Sequence, residues 1–279
     1  MSFVGRFARL YSTKPSSPVG PDGRMALGDH LREARGRILR TVTVMIVAFG
    51  LALYFFEPLN EIVYGPYYSA RERLPEGSSF PATAGASGGI MLYLKQSGFT
   101  ALVVTAPYWL YQVWAFIVPG LHASERKWSR IFAAIAGPLF LIGIALGYFT
   151  LPKGLEVLIG LNPEGVTNIL DVNEYLQFFT RTLFVFGLAF EIPVFVVMLN
   201  LAGVVSGKTL GAHRPWIIVG MFIFAAVATP SADPFTMTFM AVPMVFLYFI
   251  SEIIARWNDR RKASRGLNAD LAPDELSTI

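Results

Sequence analysis

Residues 28–37 read GDHLREARGR, and three positions later residues 41–56 read TVTVMIVAFGLALYFF. A knot of acids and arginines gives way to a 16-residue stretch without a charge. A soluble helix alternates polar and apolar faces, whereas this run is apolar on every side, as a helix surrounded by hydrocarbon must be. The reading that decides the fold is therefore a membrane helix entered at its basic end.

The rest of the chain repeats the pattern. Of 279 residues, 54% are hydrophobic and only 15% charged, with a mean hydropathy of +0.51. Apolar blocks run from Thr41 to Phe56, Ser97 to Leu121, Ile131 to Leu151, Asn173 to Leu201, Trp216 to Thr229 and Phe235 to Ile254. Long continuous blocks predict spanning helices and exclude a transmembrane barrel, whose strands alternate over about ten residues. The expectation is an all-α polytopic membrane protein with six transmembrane helices. Six spans return both ends to one side, and the positive charges say which. The first 40 residues hold eight Lys and Arg, the segments 119–130 and 202–214 three and two, and the tail from Arg256 five; the alternate segments hold four in all. Positive charge is retained in the cytoplasm, so both termini are expected there.

Three regions flank or interrupt the spans. Residues 1–26 carry no 7–15-residue apolar core of a cleavable signal and read as a disordered extension. The membrane domain is expected over 27–257, and the polar tail 258–279 as disordered. Residues 57–94, rich in Pro, Gly and Ser, predict an ordered loop with short helical pieces.

Two block lengths are unusual. The fifth has 14 residues, a rise of only about 21 Å, short of the ~30 Å hydrocarbon core. The fourth has about 29 and contains Glu191 and Pro193, where the missing N–H of proline predicts a kink. In the third, Gly143 and Gly147 form a GxxxG pair that suits either close packing in the bundle or a dimer face.

Charges near or inside apolar blocks are the pointers to function. A carboxylate at mid-membrane costs on the order of 2.5–3.5 kcal/mol, so Glu191 either hydrogen-bonds into the Pro193 kink or serves substrate or partner helices. Arg181 either snorkels outward or pairs with Glu174. Glu33, flanked by Arg32 and Arg35, and Glu125, followed by Arg126, are carboxylates on a surface dominated by cations. Each alone suits an intramolecular ion pair. Together they suit a receptor for paired guanidinium groups, because carboxylates bind Arg through parallel bonds that Lys cannot reproduce.

Enzyme signatures are missing. There is no cysteine, and His30, His122 and His213 lack metal-ligand spacing. GVVSGKT at 203–209 has three residues between its glycines where a phosphate-binding loop needs four, and follows a helix rather than a strand. No catalytic residue, cofactor, metal or nucleic acid is implied.

The chain resembles the TatC family of the twin-arginine protein translocase. The resemblance rests on HLREARGR at 30–37, the Gly65–Pro66 pair, APYWLYQVWAFIVPGLHASER at 106–126, GYFTLPKG after the third block, FGLAFEIPVF at 186–195, HRPWIIVG at 213–220 and TPSADPF at 229–235. It implies a cupped bundle of six helices in a bacterial cytoplasmic membrane. It implies a receptor that binds twin-arginine signal peptides of folded cargo and assembles with TatA-type and TatB-type single-helix subunits, driven by the proton gradient. Self-association and contact with the lipid bilayer are also expected. By motif position, Glu33, Arg35, Phe116 and Glu125 fall at the signal-peptide site, Glu191 at an intramembrane polar position, and Pro66, Asp171 and Asp233 at outer positions tied to function. Ala34 departs from the family's leucine, and Met237 from the usual end of the last motif. Two other readings compete: a proton-coupled small-molecule permease with Glu191 as relay, and a passive scaffold for other helices. The lack of a visible inverted repeat weighs against the first.

Overall fold

The computed structural model describes residues 27–83, 85–117, 126–163, 166–201, 203–228 and 234–269. Helices dominate: α1 (Leu27–Tyr54), α2 (Phe56–Arg71), α3 (Gly88–Val104), α4 (Ala106–Ile117), α5 (Arg126–Gly160), α6 (Val172–Phe190), α7 (Ile192–Leu201), α8 (Gly207–Ala212), α9 (Arg214–Ala228) and α10 (Pro234–Ala269). Four stretches among the described residues are long and apolar enough to cross a membrane: His30–Tyr54, Ala134–Gly160, Val172–Leu201 and Met237–Ala263. Apolar side chains such as Ile46, Val47, Ile142, Val242 and Phe246 point outward from them. In water such a surface would be unstable, and in lipid it is the required one. Three hydroxyls inside these helices are satisfied without water: Thr43, Thr150 and Ser251 each donate to the carbonyl four residues back.

Breaks fall next to prolines. The second block is divided at Thr105 between α3 and α4, because Pro107 cannot donate to the preceding turn. The fourth is divided at Glu191 between α6 and α7, two residues before Pro193. The fifth is the short helix α9, with 15 residues.

Three outcomes differ from expectation. The loop 57–94 holds α2, a 16-residue helix, rather than short pieces. Two strands, β1 (Ser79–Ala82) and β2 (Asn168–Asp171), pair in parallel with Ser79 opposite Asn168, so the chain is not wholly helical. Each strand runs on toward the start of a helix of the bundle, β1 to α3 and β2 to α6, which sets them in the same direction. Four-residue strands are too short to announce themselves by alternation. Finally, α10 continues to Ala269, past the expected boundary at 257. There the Arg261 guanidinium lies 3.5 Å over the Trp257 ring, and Lys262 Nζ donates to the Leu201 carbonyl, fastening this extension to the end of α7.

The core is three apolar clusters along the bundle. One joins α2, α5 and α6 through Tyr67, Leu155 and Tyr175; one joins α6, α9 and α10 through Phe186, Ala225 and Met244; one joins α4, α5 and α7 through Trp114, Phe140 and Val194. Gly143 and Gly147 serve this packing. A Cβ on Gly143 would sit 2.6 Å from the Phe186 carbonyl oxygen, and one on Gly147 would sit 3.0 Å from Leu183. The GxxxG face is thus filled by α6 of the same chain and is not free for a dimer.

Candidate functional site

Near the start of α1, Glu33 is buried although it is charged. Arg37, one turn on, accounts for this: its Nε donates to Glu33 Oε1 at 3.0 Å and its Nη2 donates to the same oxygen. The third nitrogen, Nη1, donates to Gln112 Oε1 on α4 at 3.0 Å. One guanidinium therefore ties a buried carboxylate to the neighbouring helix. Beside it the His30 ring stacks on Phe116, with centroids 4.4 Å apart and planes 14° from parallel. Arg35 is exposed on the same helix, and it is Arg37 that meets the carboxylate.

Alongside this pair lies an apolar groove of about 420 Å³ between α1 and α4, with Ala34, Ile38 and Thr41 on one wall and Trp109, Val113 and Phe116 on the other. Ala34 widens it, since a leucine there would project into the space. The Trp109 indole donates to the Leu102 carbonyl at 2.9 Å, which holds the ring as wall rather than plug. The site combines an acid already gripping a guanidinium, an aromatic stack and an apolar trough. Glu125 and Asp233 lie outside the described residues.

Pro66 is buried inside α2, and its surroundings compensate for its missing N–H. Residue 66 would normally donate to the carbonyl of Ile62; here the Tyr148 hydroxyl donates to it instead, at 3.0 Å. Gly65 leaves room for that hydroxyl, as a Cβ there would lie 2.6 Å from it. On the next carbonyl, the Tyr175 hydroxyl donates to Val63 at 2.6 Å. Asp171 ends β2 and caps α6, its Oδ1 accepting from the Asn173 and Glu174 amides at 2.8 and 3.0 Å.

Glu191 sits at the α6–α7 break. Both carboxyl oxygens are buried and make no hydrogen bond among the described residues, so of the two readings the bond into the proline kink is not formed. The Trp114 indole N–H on α4 is likewise buried without a hydrogen-bond partner among the described residues. Arg181 does not pair with Glu174: its Nη2 donates to the Val227 carbonyl at the end of α9, at 2.8 Å. The two residues are seven positions apart, about 10 Å along the axis, while α9 ends within reach.

Sequence reasoning missed Arg37, Gln112 and Glu252. Glu252 is almost wholly buried on α10 and holds two cations, Arg214 Nη2 at 2.6 Å and Arg256 Nε at 2.7 Å. The spacing of Glu252 and Arg256 was a usable signal; the approach of Arg214 was not. The glycine-rich stretch at 203–209 is occupied by protein, since the Gly207 amide donates to Asp259 Oδ2 at 2.7 Å.

Comparison with known proteins bears on this arrangement. The family model described as Sec-independent protein translocase protein (TatC) matches residues 29–243. A TatC protein of Frankia casuarinae is 42% identical over 273 residues, 92% of this chain and 74% of that protein. One from Escherichia coli K12 is 35% identical over 229 residues, 82% of this chain and 87% of that protein. A crystal structure of the twin arginine translocase receptor TatC in DDM superposes with a TM-score of 0.69 at 30% identity, covering 81% of this chain and 99% of that one.

Proposed function

This chain belongs to the Sec-independent protein translocase (TatC) family, and from that premise we infer that it is the subunit that receives twin-arginine signal peptides at the Glu33 end of the bundle. Membership makes it a membrane component of a protein translocase, and the small-molecule permease reading is dropped.

The observation that carries the inference is the Glu33–Arg37 pair beside the apolar groove. An incoming guanidinium meets a carboxylate that is already desolvated and already accepting two N–H bonds at Oε1. It exchanges with Arg37 rather than building a site anew, so the cost of stripping water from the acid has been met during folding. Lysine offers a point charge in place of the fork and exchanges poorly. Phe116 and His30 supply a flat apolar surface next to the pair, and the trough between α1 and α4 suits the hydrophobic segment that follows the arginines in such peptides. Glu125 is the second carboxylate of the reading, with Arg35 supporting Glu33 from the exposed side. Six spans with both termini in the cytoplasm, self-association, and TatA-type and TatB-type single-helix partners complete it; Glu191, with its unsatisfied oxygens, is the intramembrane point at which a partner helix can donate a hydrogen bond. Asp233 and the Pro66 turn are assigned to the outer face, and export draws on the proton gradient.

The test is photocrosslinking to a labelled twin-arginine precursor from positions 33, 125 and 191, with an Arg-Arg to Lys-Lys precursor as control. Glu33→Ala combined with Glu125→Ala should abolish the crosslink from the groove while the protein still inserts. Undiminished capture by the double variant would remove the site.

A further inference from the structure

Arg181 is an exposed cation within a membrane-spanning stretch. It does not stand alone on its helix. Glu174, Gln177 and Arg181 are all exposed at spacings of three and four, one polar stripe on α6, while Tyr175, Leu176, Phe179 and Leu183 turn inward. Further along α6 the outward side chain is apolar, Leu188. The stripe therefore has a lower end, and Arg181 marks it.

Two lengths place that end. Leu201, whose carbonyl is held by Lys262, closes the stretch at its charged end, and the 20 residues back to Arg181 rise about 30 Å, the full hydrocarbon thickness. Helix α9, fastened at Arg214 to Glu252, has 15 residues and rises only about 22 Å before Val227 meets the Arg181 guanidinium. The last carbonyls of a helix have no partners within it and cannot be left in hydrocarbon. Arg181 supplies one N–H to them, and its remaining donors face outward.

We propose that Arg181, anchored to the carbonyl end of α9, binds the phosphate of a phospholipid head group, drawn into a dip of the bilayer at the β1–β2 end of the molecule. A planar guanidinium takes phosphate through two parallel N–H bonds while its other edge keeps Val227. Glu174 and Gln177 above it line a hydrated wall, not a lipid-facing one. The inference is independent of where a signal peptide binds and requires only that the chain spans the membrane.

The chain has no cysteine, so Val227→Cys introduces a single thiol. In vesicles of phosphatidylethanolamine and phosphatidylglycerol, with a membrane-impermeant maleimide on both faces, this thiol should react about tenfold faster with Arg181 present than with Arg181→Leu. Arg181→Lys should restore most of the rate. In native mass spectrometry of the full chain, phospholipid retention should fall in Arg181→Leu and in Arg181→Glu, which keeps a charge but repels phosphate, and persist in Arg181→Lys. Equal thiol reactivity with Arg181 and with Arg181→Leu overturns the proposal. So does phospholipid retention that ignores all three substitutions, or retention that rises in Arg181→Glu, the result expected of a cationic partner surface. Insertion and a single elution peak for Arg181→Lys serve as the control for folding.

Discussion

A missing N–H at Pro66 decides how α2 is held against α5. Its absence frees the Ile62 carbonyl, and the Tyr148 hydroxyl, admitted by Gly65, answers it from α5. Tyr148→Phe should therefore destabilise the protein by about 0.5–1.5 kcal/mol, the net worth of the hydrogen bond it removes. In a Pro66→Ala background the helix regains its own N–H, and the same change should cost markedly less; thermal unfolding of the four proteins in detergent measures the difference. An equal cost in both backgrounds would show that the hydroxyl does not stand in for the proline. The Pro66 motif could be read from the residues, but the hydroxyl that completes it is 82 positions away and could not. Glu33 behaves alike: the acid was legible, and its true partner Arg37 sat one turn along the helix, while the Gln112 bridge required the fold.

Among the elements, the α5–α6 crossing depends on glycine. Without a Cβ, Gly143 brings the two backbones so close that an added methyl would meet the Phe186 carbonyl at 2.6 Å. Gly143→Ala should cost about 1–3 kcal/mol through overpacking. Gly220→Ala on α9, where nothing lies within 4 Å, should be neutral or stabilising by up to about 1 kcal/mol from helix propensity. Matching losses for the two substitutions, read by unfolding midpoint, would refute the distinction. The GxxxG spacing was visible in the chain, yet its partner was not, because the same small-residue face suits a second copy or a neighbouring helix equally well. The breaks at Thr105 and Glu191 follow from Pro107 and Pro193, so composition came close to placing them. The parallel pairing of β1 and β2 did not follow, since two four-residue segments nearly 90 positions apart carry no period.

At the scale of the whole molecule, the end of the bundle opposite the strands is drawn together by two acids, Glu252 buried and Asp259 half-buried. Glu252 holds Arg214 at the start of α9 and Arg256 on its own helix, and Asp259 accepts from Asn200 on α7 and from the Gly207 amide that begins α8. Glu252→Gln leaves two guanidinium groups sharing one neutral oxygen and should cost about 1.5–3 kcal/mol. It should also raise proteolysis between α8 and α9; unchanged unfolding and proteolysis would rule out the clip. Six apolar blocks, the excess of basic residues in alternate segments and the family motifs were all determined by the sequence, because the free energy of placing a residue in hydrocarbon depends chiefly on that residue and its near neighbours. Tertiary structure alone decided which cation answers Glu33, which hydroxyl answers Pro66, where Arg181 spends its N–H and what fills the Gly143 face. Those outcomes depend on distances between segments far apart in the chain, and hydrogen bonds and close packing, unlike hydropathy, are satisfied only between atoms that folding has brought within a few ångströms of one another.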